Sequence, residues 1–176
     1  MTEAIVHGDA VSCSRLGGAM RRESARLLER GHTLARAADE LRPWQGGAAD
    51  GLRERLRHQL RALDDAARAL DEAGAALQRY ATELSEAHEL ARRATQGARA
   101  AGLAVVDGRV VEPWGPASSE EAQRRRALIP ESQARVDRAA SLIGRSRARL
   151  RRSCDALTDA FAGQSRALRD APPPQG

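Results

Sequence analysis

Large and small residues alternate along this chain on a strict seven-residue repeat, and three stretches share that pattern. Cys13, Met20, Leu27, Leu34 and Leu41 recur every seven positions, and four positions after the first four stand Gly17, Ser24, Gly31 and Ala38. The repeat returns at Leu56, Leu63, Leu70, Leu77 and Leu84, weakens at Ala91 and Ala98, and has Leu60, Ala67, Gly74, Ala81 and His88 at plus four. A third stretch carries Val136, Ile143, Leu150 and Leu157, with Ala140, Arg147, Cys154, Phe161 and Leu168 at plus four. Seven residues make slightly under two helical turns, so such a stripe faces a neighbour only in left-handed supercoiled helices. The small companion stripe lets that neighbour come close.

Breakers separate the stretches. Asp9 is placed to cap the first helix, expected over about residues 10–42, since its carboxylate can accept from the first free amides. Pro43 pushes Arg42 out of the helical region, and Trp44-Gln45-Gly46-Gly47 makes the turn. The second helix is expected from about Ala48 to Ala101. Two such helices joined by a tight turn pack as an antiparallel hairpin. At ~1.5 Å per residue they span roughly 50 and 80 Å, so helix two overhangs its partner from about residue 82 onward. The third stripe is the candidate to cover that end.

Between them Val105-Val106-Asp107-Gly108-Arg109-Val110-Val111 reads as a small β-hairpin turning on Asp-Gly. Isolated hairpins are marginal in water, so it should rest on helix ends, with Trp114 as anchor. Ser118-x-x-Glu121 is a capping box opening a short helix to about Leu128, where Pro130 breaks or kinks the chain before the last helix. The expected fold is all-α: a long antiparallel helical hairpin (1–102), a short β-hairpin connector (103–116), and C-terminal helices (117–170) completing a three- to four-helix bundle. A disordered tail follows at 171–176.

Composition agrees and narrows function. Ala, Arg, Leu and Glu make up more than half of the 176 residues, with no lysine or asparagine, and only four side chains are aromatic. That is helix and coiled-coil usage, too poor in large side chains to line a typical small-molecule pocket. His7, His32, His58 and His88 pair with no Cys or acid at a metal-ligand spacing, and Cys13 and Cys154 form no CxxC. Both cysteines read as small core residues. Asp64, Asp65, Asp71 and Glu72 are accounted for by i,i+4 pairs (Arg61 with Asp65, Asp64 with Arg68, Arg68 with Glu72). With no nucleophile elbow, P-loop or zinc motif, the reading gives no catalytic residue, no metal and no cofactor. No stretch is long and apolar enough to span a membrane. No basic segment followed by an apolar run marks a cleaved leader.

All of the net charge of +5 lies in residues 117–176, densest at Arg145, Arg147, Arg149, Arg151 and Arg152. Without stacking aromatics beside it, this basic face reads as solvated, or as complementary to an acidic helix, before it reads as a nucleic-acid site. Arg147 falls on the seam, where it should snorkel or pair with an acid.

Trp44-Gln45-Gly46, followed by Gly47-Ala48-Ala49-Asp50-Gly51-Leu52 at the turn of a heptad-patterned hairpin, resembles the WxG (early-secretory-antigen-like) helical hairpins of type VII secretion. The resemblance covers about Asp9 to Ala101. Leu103-Ala-Val-Val-Asp-Gly-Arg-Val-Val looks like the continuation in longer members, including N-terminal targeting regions of polymorphic toxins. The Arg-rich, Lys-free composition fits a high-GC actinomycete source. Leu52 stands where the family often has an aromatic. Tyr80 is followed by Glu83 at plus three, against the family signal Tyr-x-x-x-Asp/Glu. The resemblance implies a non-enzymatic substrate, or the partner or chaperone of one. Trp44, Gly46 and Leu52 would contact a partner, Tyr80 and Glu83 would be a degenerate secretion signal, and Met20, Leu27, Leu34, Leu41, Leu56, Leu63, Leu70, Leu77 and Leu84 would form the hairpin seam. It further implies a second helical-hairpin protein as partner, in a hetero- or homodimer, or the secretion machinery itself. The chain would reside in the cytoplasm before export, without a cleaved signal peptide. The rival reading is a structural or regulatory coiled coil that binds an anionic partner (nucleic acid or acidic protein) through the last helix.

Overall fold

Asp9 opens the first helix as its sequence position requires. Its Oδ1 accepts from Val11 N at 2.9 Å, the Ser12 hydroxyl donates to Oδ2, and its carbonyl takes the first helical bond from Cys13 N at 3.2 Å. In the computed structural model, which describes residues 6–169, the elements in order are α1 (Ala10–Glu40), α2 (Gly47–Ala100), β1 (Ala104–Val106), β2 (Arg109–Val111) and α3 (Ser119–Arg169). The fold is all-α with one two-stranded antiparallel sheet. The tail 171–176 and the side chain of Leu168 lie outside what is described.

Local chemistry fixes the boundaries. At the end of α2, Leu103 N reaches Ala98 O and Gly102 N reaches Arg99 O, both at 2.9 Å, with Gly102 at φ +72°. This pair of bonds is the Schellman closure, and it needs the left-handed residue that glycine supplies. Asp107 (φ 50°) and Gly108 (φ 74°) form the type I′ turn, which sets Val105 opposite Val110. At the start of α3, Ser118 Oγ accepts from Glu121 N at 3.2 Å.

Two helices were expected on either side of Pro130, but α3 runs through it unbroken. Proline removes one amide and frees the carbonyl four residues back. Pro130 is exposed, so water can serve that carbonyl. Ile129 before it and Ser132 and Val136 after it are held in packing, which keeps the helix in line.

The described residues form two compact units. In the first (6–13 and 79–149), α3 lies antiparallel on the far half of α2, the stretch that overhang arithmetic left uncovered. One cluster joins Val6, Leu84, Ala87, Ala91, Ala139 and Ile143; a second joins Ala94, Ala98, Leu103, Val105, Val110 and Val136. The β-hairpin rests on this second cluster and is tied to α3 by Gln133. The Gln133 side chain accepts from Val110 N at 2.7 Å and donates to Gly108 O at 3.0 Å. Trp114 is not the anchor: its side chain is fully exposed, because the inward places are already taken by Val105 and Val110.

The buried stripe of α3 is Ser132, Val136, Ala139, Ile143 and Ser146. The companions of Val136 and Ile143 are therefore at plus three. Ala140 and Arg147, at plus four, are exposed. A heptad stripe has a neighbour on each side, and the position of the partner helix selects one. Here it selects the small residues and leaves Arg147 outside.

In the second unit (14–78 and 150–169), α1 and α2 meet antiparallel at glycines. A Cβ on Gly17 would stand 2.7 Å from Gly74 O, and one on Gly74 would stand 2.7 Å from Gly17 O. One α2 carbonyl, Ala67 O, accepts from the buried Ser24 Oγ at 2.6 Å. Arg21 bridges to Asp71 (2.9 Å) and Gln78 (3.3 Å). Small residues thus occupy the line of closest approach. The seam expected of the large residues is shifted: Met20, Leu27, Leu34, Leu56, Leu63, Leu70 and Leu77 flank the contact half-buried, and Leu41 is exposed in the turn. Of that set only Leu84, in the first unit, is fully buried. On α3, Leu150, Leu157 and Phe161 are half-buried, whereas Cys154 is exposed rather than in a core; it and the half-buried Cys13 are free thiols. Of the expected acidic pairs, Asp64–Arg68 forms at 2.6 Å. Arg68 also stands 3.6 Å from Asp65, three positions back, and not beside Glu72.

Candidate functional site

The turn between α1 and α2 is built by backbone bonds and one arginine. Arg42 N donates to Asp39 O and Trp44 N to Leu41 O, both at 3.1 Å, closing the last turn before Pro43. Gly46 sits at φ +107°, open to a side chain in space but not in conformation. Arg53, one turn into α2, pairs with Asp50 at 2.6 Å and reaches back to the carbonyls of Trp44 and Arg42. Sequence reading missed Arg53; its one signal was a cation placed to reach the last carbonyls of the preceding helix. The Trp44 side chain is 48% exposed and Leu52 half-buried. The indole therefore presents a large part of its surface to solvent.

The second candidate group, Tyr80 and Glu83, lies in the first unit beneath α3. Tyr80 packs partly buried against the cluster around Leu84. Glu83 accepts from the buried Ser146 hydroxyl and from the Arg149 guanidinium. The Ser146 hydrogen bond is the largest effect on its carboxyl; burial opposes it, and the Arg149 hydrogen bond with the charges of Arg149 and Arg79 brings the net shift below the usual carboxylate range. Further along α2, hydrogen bonds from Arg92 and then Arg93 hold Glu89 down to about 2.

The basic run does not act as one face. Arg149 is taken by Glu83, and Arg147 Nη2 donates to His7 O at 2.7 Å. Arg145, Arg151 and Arg152 are exposed. Among the described residues, no group of three or more His, Cys, Asp or Glu is placed to hold a metal ion, and no helix is long and apolar enough to cross a membrane.

The geometry is that of three heptad helices closed by small residues, with a turn carrying Trp-x-Gly. Compared with known families, residues 2–172 match the model described as "Putative T7SS secretion signal domain". The chain belongs to this family. The chain is thus associated with type VII secretion, and its family is described by secretion and not by a catalytic activity. No curated protein and no solved structure matches the chain. The match spans both units and nearly the whole chain, so it covers α3 as well as the hairpin.

Proposed function

We propose that this protein is a non-enzymatic WxG-type member of type VII secretion: a small substrate, or the partner or chaperone of a substrate or toxin, acting by helix-to-helix packing. It is of the longer kind that resembles polymorphic-toxin targeting regions. The observation that carries the reading is the family match over residues 2–172, taken with a Trp-Gln-Gly turn at the tip of a long hairpin whose indole stands half in solvent. Trp44, Gly46 and Leu52 are the partner-contact element, and Tyr80 with Glu83 is the export signal. A half-exposed tryptophan on a braced turn has the makings of an anchor, since such residues dominate protein interfaces when a partner buries them. The partner is a second helical hairpin or the secretion machinery, and the chain waits in the cytoplasm before export. The test is export of Trp44→Ala, with association followed by light scattering in the presence of the neighbouring gene product. Loss of either with an unchanged helical spectrum supports the reading; wild-type behaviour in both refutes it.

A second reading rests on the exposed Arg145, Arg151 and Arg152: an anionic partner docks on α3. Phosphate contacts give a steep salt dependence. Absence of binding to DNA at low salt removes the nucleic-acid form of this reading.

A further inference from the structure

The side chains that fasten α3 to α2 around Glu83 are unlike those of a permanent core. Toward α2, α3 presents Ser132, Val136, Ala139, Ile143 and Ser146, with Ile129 and Leu142 part-buried beside them; α2 answers with Leu84, the alanines 87, 91, 94 and 98, and the part-buried Tyr80. Hydrophobic stabilisation follows buried apolar area, and each alanine or serine in this contact brings little of it. The remaining fastening is polar. Ser146 and Arg149 both donate to Glu83, whose side chain is about a quarter exposed (27%). All three groups recover water when the helices part, so opening leaves no buried polar atom stranded.

The segment before α1 is bound into the same contact. Val6 is 4% exposed within the Leu84 cluster. Gly8, at φ +136°, lies so flat on Leu84 that a Cβ there would stand 3.0 Å from its Cδ2. Arg147 of α3 holds this segment through the carbonyl of His7 at 2.7 Å. Removing α3 thus removes the strap's hydrogen bond and two walls of its apolar pocket, Ala139 and Ile143.

We propose that residues 132–149 of α3 and the strap 6–9 form one releasable cover over Tyr80–Glu83, and that the export machinery engages this stretch only with the cover off. The proposal rests on the reading of Tyr80 and Glu83 as the export signal. Covered, Tyr80 offers part of its ring, and the Glu83 carboxylate has its acceptor sites turned to α3. Uncovered, both become available together with the Leu84–Ala87–Ala91 stripe, a surface onto which another helix can pack.

The test compares the full chain with Ser146→Ala, Arg149→Ala and Arg149→Lys by hydrogen exchange and by export from the producing strain. The first two should raise exchange at residues 80–91, 136–149 and 6–13 together by roughly tenfold, the scale of a lost charge-assisted bond. Residues 17–24 and 67–74 should be unchanged, and export should rise. Arg149→Lys keeps the ion pair and should restore wild-type values. Arg149 is half exposed, so its replacement leaves folding intact even where Ser146→Ala does not. Glu83→Gln separates the two ideas, because it also opens the cover but removes the signal: exchange should rise while export falls. If Arg149→Ala opens the cover without raising export while Glu83→Gln and Tyr80→Ala abolish it, the cover is wrong and the signal stands. If 6–13 stays protected while 136–149 opens, the single cover is likewise refuted. If Glu83→Gln and Tyr80→Ala are both exported normally, the signal reading falls, and the cover's role with it.

Discussion

Replacing Gly74 by alanine sets helix propensity directly against helix contact. Within an isolated helix the change stabilises, because alanine is favoured over glycine by about 1 kcal/mol. At this position the new Cβ would stand 2.7 Å from Gly17 O and 2.6 Å from Arg21 Cγ, where ordinary contacts begin near 3.4 Å. The arginine stem can swing aside by giving up Asp71 and Gln78; the carbonyl belongs to the facing helix and cannot. The helices must therefore separate by several tenths of an ångström, which strains the Ser24–Ala67 bond at 2.6 Å. Overpacking of this kind costs about 1–3 kcal/mol, and the strained bond is worth about 1 kcal/mol. After subtracting the propensity gain, Gly74→Ala should lose about 1–3 kcal/mol. Gly31 is the control, since a Cβ there meets nothing within 4 Å. Gly31→Ala should gain about 0.5–1 kcal/mol. Urea unfolding followed by far-UV circular dichroism measures both. A Gly74→Ala midpoint equal to or above wild type, with an unchanged slope, would refute the glycine crossing as the closest contact of the second unit.

Gln133→Ala removes both bonds between α3 and the β-hairpin; it should cost about 1–2 kcal/mol, seen first as faster exchange of the Val110 amide. Trp114→Ala should leave stability within about 0.5 kcal/mol, because the indole touches nothing it could anchor; a larger loss in thermal unfolding would show that Trp114 is packed after all. The pH dependence has a definite sign. Glu83 and Glu89 have folded values below the ordinary 4.5, so their contribution is complete above that pH and is lost as pH falls from there through the folded values, about 2 for Glu89. Acid titration of stability should decline over that window, and Glu83→Gln should flatten part of it; an unchanged profile would show that the Ser146–Arg149 contact does not discriminate the charged form.

Most of the helical architecture was legible because it is specified locally. Asp9 and Ser118 supply caps, Gly102 the closing left-handed residue, and Asp107-Gly108 the hairpin turn; each acts on neighbours a few residues away. The seven-residue repeats announce helices that pack, and the length difference between the first two announces that something must cover the end of the second. The Trp-x-Gly turn was equally visible, and it pointed to the secretion system whose signal family the chain matches. What the tertiary structure alone decided is which side of each stripe faces inward. Periodicity offers Ala139 and Ala140, or Ser146 and Arg147, on nearly equal terms, and only the placement of α2 buries the first of each pair. It likewise places Gly17 and Gly74 at the closest approach with leucines to either side, and carries α3 through Pro130 because packing holds both flanks. It turns Trp114 outward because Val105 and Val110 fill the inward side. The bracing of the turn by Arg53, and the pinning of Glu83 by residues more than sixty positions away, belong to the same class. Such contacts join residues distant in sequence, and no local pattern encodes the distance between two helices.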